Sequence, residues 1–303
     1  MKIGTRGSQL ARWQADWVRD RLTARGRGAG GARAEIVVIK TQGDAEVDRP
    51  LHELEGTGFF TKQIEEALLE GHIDVAVHSL KDLPTKLPPG LVIAAVPERH
   101  DPREALVNGA TLSALAAGTR VGTSSLRRMS QVRFLRPDLE VVPLRGNVTT
   151  RVRKVEAREG LDVALLALAG LERLGLGHKA SPLDPLDVMP APGQGALAIE
   201  VRSDDRQVRD LIDALGDELT EHDVAAERSL LAALGGGCQA PIAAWVDRSM
   251  PNGARRLYGR VTAQDGSAQL TASALIDDAR PQDAGALVAR LLEGEGAASL
   301  LAR

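Results

Sequence analysis

The chain has a single cysteine in 303 residues, only 2% aromatic side chains and no apolar run long enough to span a bilayer. Each scarcity excludes something. One thiol, Cys238, can neither close an internal disulfide nor build a thiolate metal site, so it either packs or does covalent chemistry. With three Trp, three Phe and one Tyr, the cores must be filled by Ala, Leu and Val. The richest apolar stretch, Val163 to Leu171, falls far below the roughly 20 residues of a membrane helix. The first residues, Met1-Lys2-Ile3-Gly4-Thr5-Arg6, lack the apolar segment of a secretory signal. A cytoplasmic protein without a membrane partner is expected. A net charge of −3 argues against general affinity for nucleic acid, so any anion site is local.

At this length two or three domains are expected. The first two hundred residues alternate β-branched runs with helical patterns, the form of an α/β domain with an open sheet. Strands are expected at 2–4, 35–40, 73–77, 91–96, 119–122, 140–144, 162–168 and 196–201. Ser8 is a candidate cap for a helix with Leu10, Trp13, Trp17 and Leu22 on its core face. Thr61 is a candidate cap for another, ending at Gly71. Proline clusters near Pro97–Pro102 and Pro190–Gly193 suggest that the chain leaves a first domain and returns to it. The expected division is 1–96 with 195–216, then 97–194, then an α+β module at 217–303. That module is read as a helix at 221–234 with Thr220 and Asp223 as capping box, three strands and a last helix.

Four turns put arginines or hydroxyls where a strand gives way to a helix or tight loop. They are Thr5-Arg6-Gly7-Ser8, Gly122-Thr123-Ser124-Ser125-Leu126-Arg127-Arg128, Leu144-Arg145-Gly146-Asn147 with Thr150-Arg151, and Ala169-Gly170-Leu171-Glu172-Arg173. A helix start there offers free N–H groups and partial positive charge, and strand carboxyl ends are where open α/β sheets bind ligands. Any one of them could equally be a solvated turn; their convergence suggests a polyanion, which the planar fork of arginine suits. No phosphate loop or dinucleotide fingerprint occurs, which argues against a standard nucleotide.

Two further segments carry candidate chemistry. Val75 to Pro84 runs a buried strand into a polar turn holding Asp82; beside arginines this carboxylate stays ionised and can stabilise a cation formed in reaction. Its bland alternative is an exposed Lys81–Asp82 turn, and His78 reads best as a residue bonded within the fold. Cys238 follows Gly235-Gly236-Gly237, which strip bulk from around the sulfur and favour access, although free cysteines are most often small buried hydrophobes.

The motifs Thr5–Ser8, Val77–Pro84, Gly122–Arg128, Arg145–Val148, Pro192–Gly195 and Gly236–Gln239, in this order and spacing, resemble the porphobilinogen deaminase family. The resemblance covers essentially the whole chain. It implies two periplasmic-binding-protein-like α/β domains around a cleft, a smaller C-terminal α+β domain, and a monomer. It also implies that Cys238 carries a dipyrromethane cofactor through a thioether, that four porphobilinogen molecules are joined head to tail with loss of ammonia, and that hydrolysis releases hydroxymethylbilane. On the same ground Asp82 is the catalytic residue. Arg6, Arg127, Arg128, Arg145, Arg151 and Arg173 bind pyrrole carboxylates, and Ser8, Lys81, Thr123, Ser125, Asn147, Gly146 and Gln194 line the cofactor and substrate site. Asp44 matches a cofactor contact, and Gln14 and Phe60 match residues near the incoming substrate. No metal is implied.

The segment Thr41 to Phe60 reads as an irregular active-site lid. It departs from many relatives in carrying Glu53, Glu55 and Thr57 near positions where they have lysines, which argues against basic contacts from this loop. Gly235 also stands where the family often has glutamate. Two other readings stand beside the resemblance. A non-enzymatic two-lobed polyanion-binding protein would leave the accessible cysteine unused. A cysteine-nucleophile acyltransferase would need His78 or His222 beside the sulfur, and would leave the arginines unexplained.

Overall fold

The computed structural model describes residues 1–26, 34–45, 59–237 and 240–302. The chain opens with β1 (Lys2–Thr5), α1 (Gln9–Gly26), β2 (Glu35–Val38), α2 (Gln42–Ala45), α3 (Lys62–Leu69), β3 (Val75–Ser79) and β4 (Leu91–Ala95). There follow β5 (Glu104–Val107), β6 (Arg120–Gly122), α4 (Leu126–Leu135), β7 (Glu140–Val142), α5 (Val148–Glu156), β8 (Val163–Ala167), α6 (Leu168–Arg173) and β9 (Ala180–Pro182). Last come β10 (Leu197–Arg202), α7 (Arg206–Asp213), α8 (Glu218–Ala233), β11 (Ile242–Asp247), β12 (Arg256–Thr262), β13 (Gln269–Leu275), α9 (Pro281–Gly294) and α10 (Ala297–Leu301).

Two compact units result: the described residues up to His100 with Ala196–Glu221, and Asp101–Gly195 with His222 onward. The first unit's sheet has the order β2-β1-β3-β10-β4, with β1 parallel to β2 and β3, and β10 antiparallel to β3 and β4. The second unit repeats that pattern as β7-β6-β8-β5-β9, with β5 as the reversed strand, and also holds the antiparallel sheet β11-β12-β13. This is the expected α/β class with a smaller α+β part.

Helices cover both faces of each five-stranded sheet, as parallel strands require. In the first unit Ile3, Val75, Val77, Ile199 and Val201 pack under α1, whereas Ala76 and Ile73 pack under Ile64 and Leu68 of α3. The second sheet is covered by Val152 and Val155 of α5 on one side and Val132 of α4 on the other. The C-terminal core joins Leu230 of α8 and Val288 and Leu292 of α9 to Leu257 and Val261 of β12.

Several local expectations need correction. The buried stripe of α1 is Ala11, Ala15, Val18 and Leu22, so the small residues face the sheet. Trp13 and Trp17 flank that stripe half-buried; Trp13 meets His100 edge-on at 5.9 Å and Trp17 lies under the Arg21 guanidinium. Thr61 precedes α3 without making a side-chain cap bond. The cap of α8 is Asp217, whose carboxylate accepts the Thr220 N–H at 2.8 Å, and Thr220 Oγ1 instead accepts from the Arg99 N–H at 3.2 Å. Asp223 is the ion-pair partner of Arg248 and Arg255. Strands β5 and β9 and helices α7 and α10 were not anticipated. Among the described residues no helix is long and apolar enough to cross a membrane.

Candidate active site

Because β1, β2 and β3 run parallel, their carboxyl ends share one edge, and the turns that leave it carry the polar residues. Thr5, buried at the end of β1, donates through Oγ1 to the Ala11 carbonyl at 3.0 Å and sharpens the bend into α1. Ser8 caps α1 by accepting the Ala11 N–H at 3.2 Å, as expected from the sequence. Gln14, one turn further, is buried, and its amide donates to Ser79 Oγ at 2.9 Å, tying α1 to the end of β3.

Beyond Ser79 the chain makes one 3-10 turn, Leu80–Asp82. Leu80 and Leu83 are buried and the Leu80 N–H is held by the Ala196 carbonyl at 3.1 Å, which leaves Lys81 and Asp82 half-exposed. Phe60 is seated against Gly43 of α2, where a Cβ would fall 2.1 Å from its ring, so only glycine admits this contact. The Arg6 guanidinium lies over the same ring, 4.1 Å from its centroid. Arg6, Ser8, Gln14, Phe60 and Asp82, widely spaced in the chain, thus line one pocket of about 70 Å³, with His78 and Ser79 in its wall. Asp44 falls on α2 and its side chain is outside the described set. The expected lid begins with this short helix, and its stretch 46–58 lies outside the described residues, as does Cys238.

In the second unit the parallel strands β6, β7 and β8 again share a carboxyl edge, from which α4, α5 and α6 depart. Thr123 is buried and accepts the Ser125 N–H at 3.2 Å; Ser125 opens α4 half-exposed. Asn147 caps α5 by accepting the Thr150 N–H at 2.9 Å. Gly146 holds φ of 112°, and a Cβ there would meet the Thr150 side chain at 2.8 Å. Arg151 donates to the Gly146 carbonyl at 2.7 Å and stays partly exposed, as does Arg145, whose guanidinium is held below its usual range by partial burial.

Four of the expected site residues are built into the fold. Arg127 and Arg128 are each 5% exposed and straddle the fully buried Glu104 on β5, at 2.6 and 2.8 Å. Arg127 also donates to the Met189 carbonyl at 2.6 Å, and Arg128 to that of Leu165 at 3.2 Å. Arg173 donates to the Gly195 carbonyl at 2.6 Å, and burial lowers its guanidinium to about 10. The amide of Gln194, fully buried, donates to the Pro102 carbonyl at 2.9 Å. Sequence reasoning missed Glu104; its signal was an acid within the otherwise apolar run 104–107.

Beside the Asp82 pocket, burial and the neighbouring Glu200 raise the Glu65 carboxyl above the usual range, with His78 opposing them. A carboxyl raised by folding stabilises fully below its unfolded value, and that contribution is lost as pH rises through the folded one. Glu65→Gln, which cannot ionise, should therefore gain stability relative to the parent between about pH 5 and about pH 8. Denaturant midpoints at the two pH values measure this, and a constant difference between the proteins would refute it.

Two family models cover most of the chain: "Porphobilinogen deaminase, dipyromethane cofactor binding domain" over residues 1–210, and "Porphobilinogen deaminase, C-terminal domain" over residues 222–294. The chain belongs to the porphobilinogen deaminase family. Its relatives include the porphobilinogen deaminase of Geobacter sulfurreducens, 50% identical over 246 residues, which are 80% of this chain and 76% of that one. The enzyme of Pelobacter propionicus is 49% identical over 268 residues, covering 88% and 84%. That of Moorella thermoacetica is 48% identical over 269 residues, covering 88% and 84%. Among solved structures, a periplasmic substrate-binding protein of an ABC transporter from Coxiella burnetii is similar over 75% of this chain and 96% of that one, at 13% identity and a TM-score of 0.41. Membership in the deaminase family bears out the resemblance read from the motifs and makes the chain a transferase with a dipyrromethane cofactor domain.

Proposed function

We propose that the chain condenses four porphobilinogen molecules head to tail on a dipyrromethane held by Cys238, releases ammonia at each addition and frees hydroxymethylbilane by hydrolysis, as a cytoplasmic monomer. The observation that carries this reading is the convergence of Arg6, Ser8, Gln14, Phe60 and Asp82 on one pocket at the carboxyl ends of β1 and β3. The three-domain division at 1–96 with 195–216, 97–194 and 217–303 is part of the proposal; it is supported by three separate sheets.

The residues present fit the cofactor. Each of its rings bears an acetate and a propionate. Arg145, Arg151, Ser125 and Asn147 of the second unit, partly or fully exposed at strand ends, are cationic or hydrogen-bonding partners for them. When bound, the dipyrromethane supplies the nucleophilic pyrrole carbon on which the chain grows. Arg6 is a cation of the pocket, and with its guanidinium stacked on Phe60 it can orient a carboxylate of the incoming pyrrole. Asp82 is its anion, set to accept a pyrrole N–H and to stabilise the cation left when the amino group departs as ammonia and its methylene stays on the ring. Arg127, Arg128, Arg173 and Gln194 are bonded within the second unit, to Glu104 and to the carbonyls of Met189, Leu165, Gly195 and Pro102. Among the described residues no cluster of His, Cys, Asp or Glu could hold a metal ion.

The reading is tested by intact mass under denaturing conditions, before and after incubation with porphobilinogen. An excess of two deaminated porphobilinogen units, absent in Cys238→Ser, is expected. A bare mass that incubation leaves unchanged, with no porphobilinogen consumed, would overturn it.

A further inference from the structure

On the α3-facing side of the first sheet, next to the Asp82 pocket, three titratable side chains are almost cut off from solvent. Glu65 on α3 is 6% exposed, His78 near the end of β3 is 5% exposed and Glu200 on β10 is 0% exposed. Strand register sets Ala198 opposite His78 and Ala76 opposite Glu200, so the two polar residues are diagonal neighbours on one face, each across from a methyl group. His78 Nε2 lies 3.2 Å from Glu200 Oε2. Among the described residues, none of His78 Nε2, the two Glu200 oxygens and Glu65 Oε1 has a hydrogen-bond partner of good geometry. Further along the same face come Ile64, Leu68 and Ile73.

Such a cluster is a poor stabiliser, because apolar side chains of similar volume serve a core as well or better. Its location suggests another use. His78 belongs both to this cluster and to the wall of the pocket that holds Asp82 and Arg6. Two ionised carboxylates beside a neutral imidazole would bury two uncompensated negative charges. The neutral arrangement that keeps an ion pair has Glu65 protonated, Glu200 ionised and His78 doubly protonated. The raised Glu65 carboxyl agrees with that distribution.

Other charged groups nearby are Glu66 on α3, Lys81 and Asp82 in the 3-10 turn, and Arg6 across the pocket. Arg202, two residues along β10, is engaged with Asp205, Asp74 and the carbonyls of Leu68 and Ile73.

We propose that Glu200 is a positioning residue for the reaction at Asp82: it holds His78 doubly protonated in the pocket wall, and loss of that proton sets the high-pH limb of turnover. The inference rests on the porphobilinogen reading above.

The test measures kcat and KM for porphobilinogen consumption between about pH 6 and 9, bracketing the histidine range. In Glu200→Gln the high-pH limb of kcat should move at least about one pH unit lower, since an opposite charge at this distance has gone. KM at the low-pH plateau should stay within about twofold, and Glu200→Asp should restore the limb toward its original position. A Glu200→Gln enzyme whose limb does not move overturns the proposal, since a structural role alone would lower the amount of folded enzyme without moving the limb. If that variant does not fold, His78→Gln reads the same quantity: a flattened high-pH limb supports the proposal and an unaltered one overturns it. Unaltered protein that consumes no porphobilinogen overturns the proposed function and this inference together, whereas active protein with an unmoved limb overturns the inference alone.

Discussion

Asp82→Asn should leave a folded, cofactor-loaded protein whose kcat for porphobilinogen is lower by at least about a hundredfold, the scale on which removing one preorganised electrostatic group acts. The amide keeps the shape of the carboxylate, and the turn that carries it does not depend on the charge. That turn is anchored by buried Leu80 and Leu83 and by the Leu80 N–H on the Ala196 carbonyl. What disappears is the negative charge set against Arg6 in the pocket, while His78 in the wall faces Glu200 at 3.2 Å. A cation forming on the substrate would then face Arg6 with no counter-charge. Intact mass should still show the two-pyrrole increment, and the unfolding midpoint should match the parent. Turnover within a few-fold of the parent would remove Asp82 from the chemistry and leave the pocket as a binding site only.

How far the sequence foretold this arrangement depends on the range of the interactions involved. The Ser8 cap was legible because a cap is decided within one turn of helix, and the parallel strands of both large sheets were legible from their β-branched runs. Strand β5 was not. Its Glu104 is buried, and a glutamate after Pro102-Arg103 reads as surface unless its partners are known. Those partners, Arg127 and Arg128, lie more than twenty positions away, beyond the reach of any local pattern. Strand β9 is three residues ending in Pro182, which fits the sheet only as an edge. Helix α7 buries Ile212 alone among its residues, and its short apolar pattern of Val208, Leu211 and Ile212 was passed over behind the acidic turn before it.

On α1 the error was to equate bulk with burial: Ala11 and Ala15 let the helix approach the sheet, while the tryptophans close its flanks. The pocket itself was legible only as separate motifs. That Arg6, Gln14, Phe60 and Asp82 share it follows from the parallel pairing of β1 with β3, a tertiary fact.

Glu104→Gln should destabilise the protein by about 3 to 5 kcal/mol, read as a lower denaturant midpoint at an unchanged slope. Glu104 is the only carboxylate between Arg127 and Arg128 in the ion pairs described, and all three side chains are buried. Burial already pushes the Arg127 guanidinium below its usual range, with Arg128 adding to the effect and Glu104 opposing both. Neutralising Glu104 leaves two guanidinium groups facing each other in a poorly hydrated site, a loss comparable to much of the ordinary stability of a domain. The magnitude also tests what the arginines are for. A loss near that size means that Glu104 is their standing partner and that their share in carboxylate binding is to hold the start of α4 in place. A loss under about 1 kcal/mol, typical of exposed pairs, would mean that the arginines can turn away from Glu104 without penalty and are free to meet the growing polyanion directly.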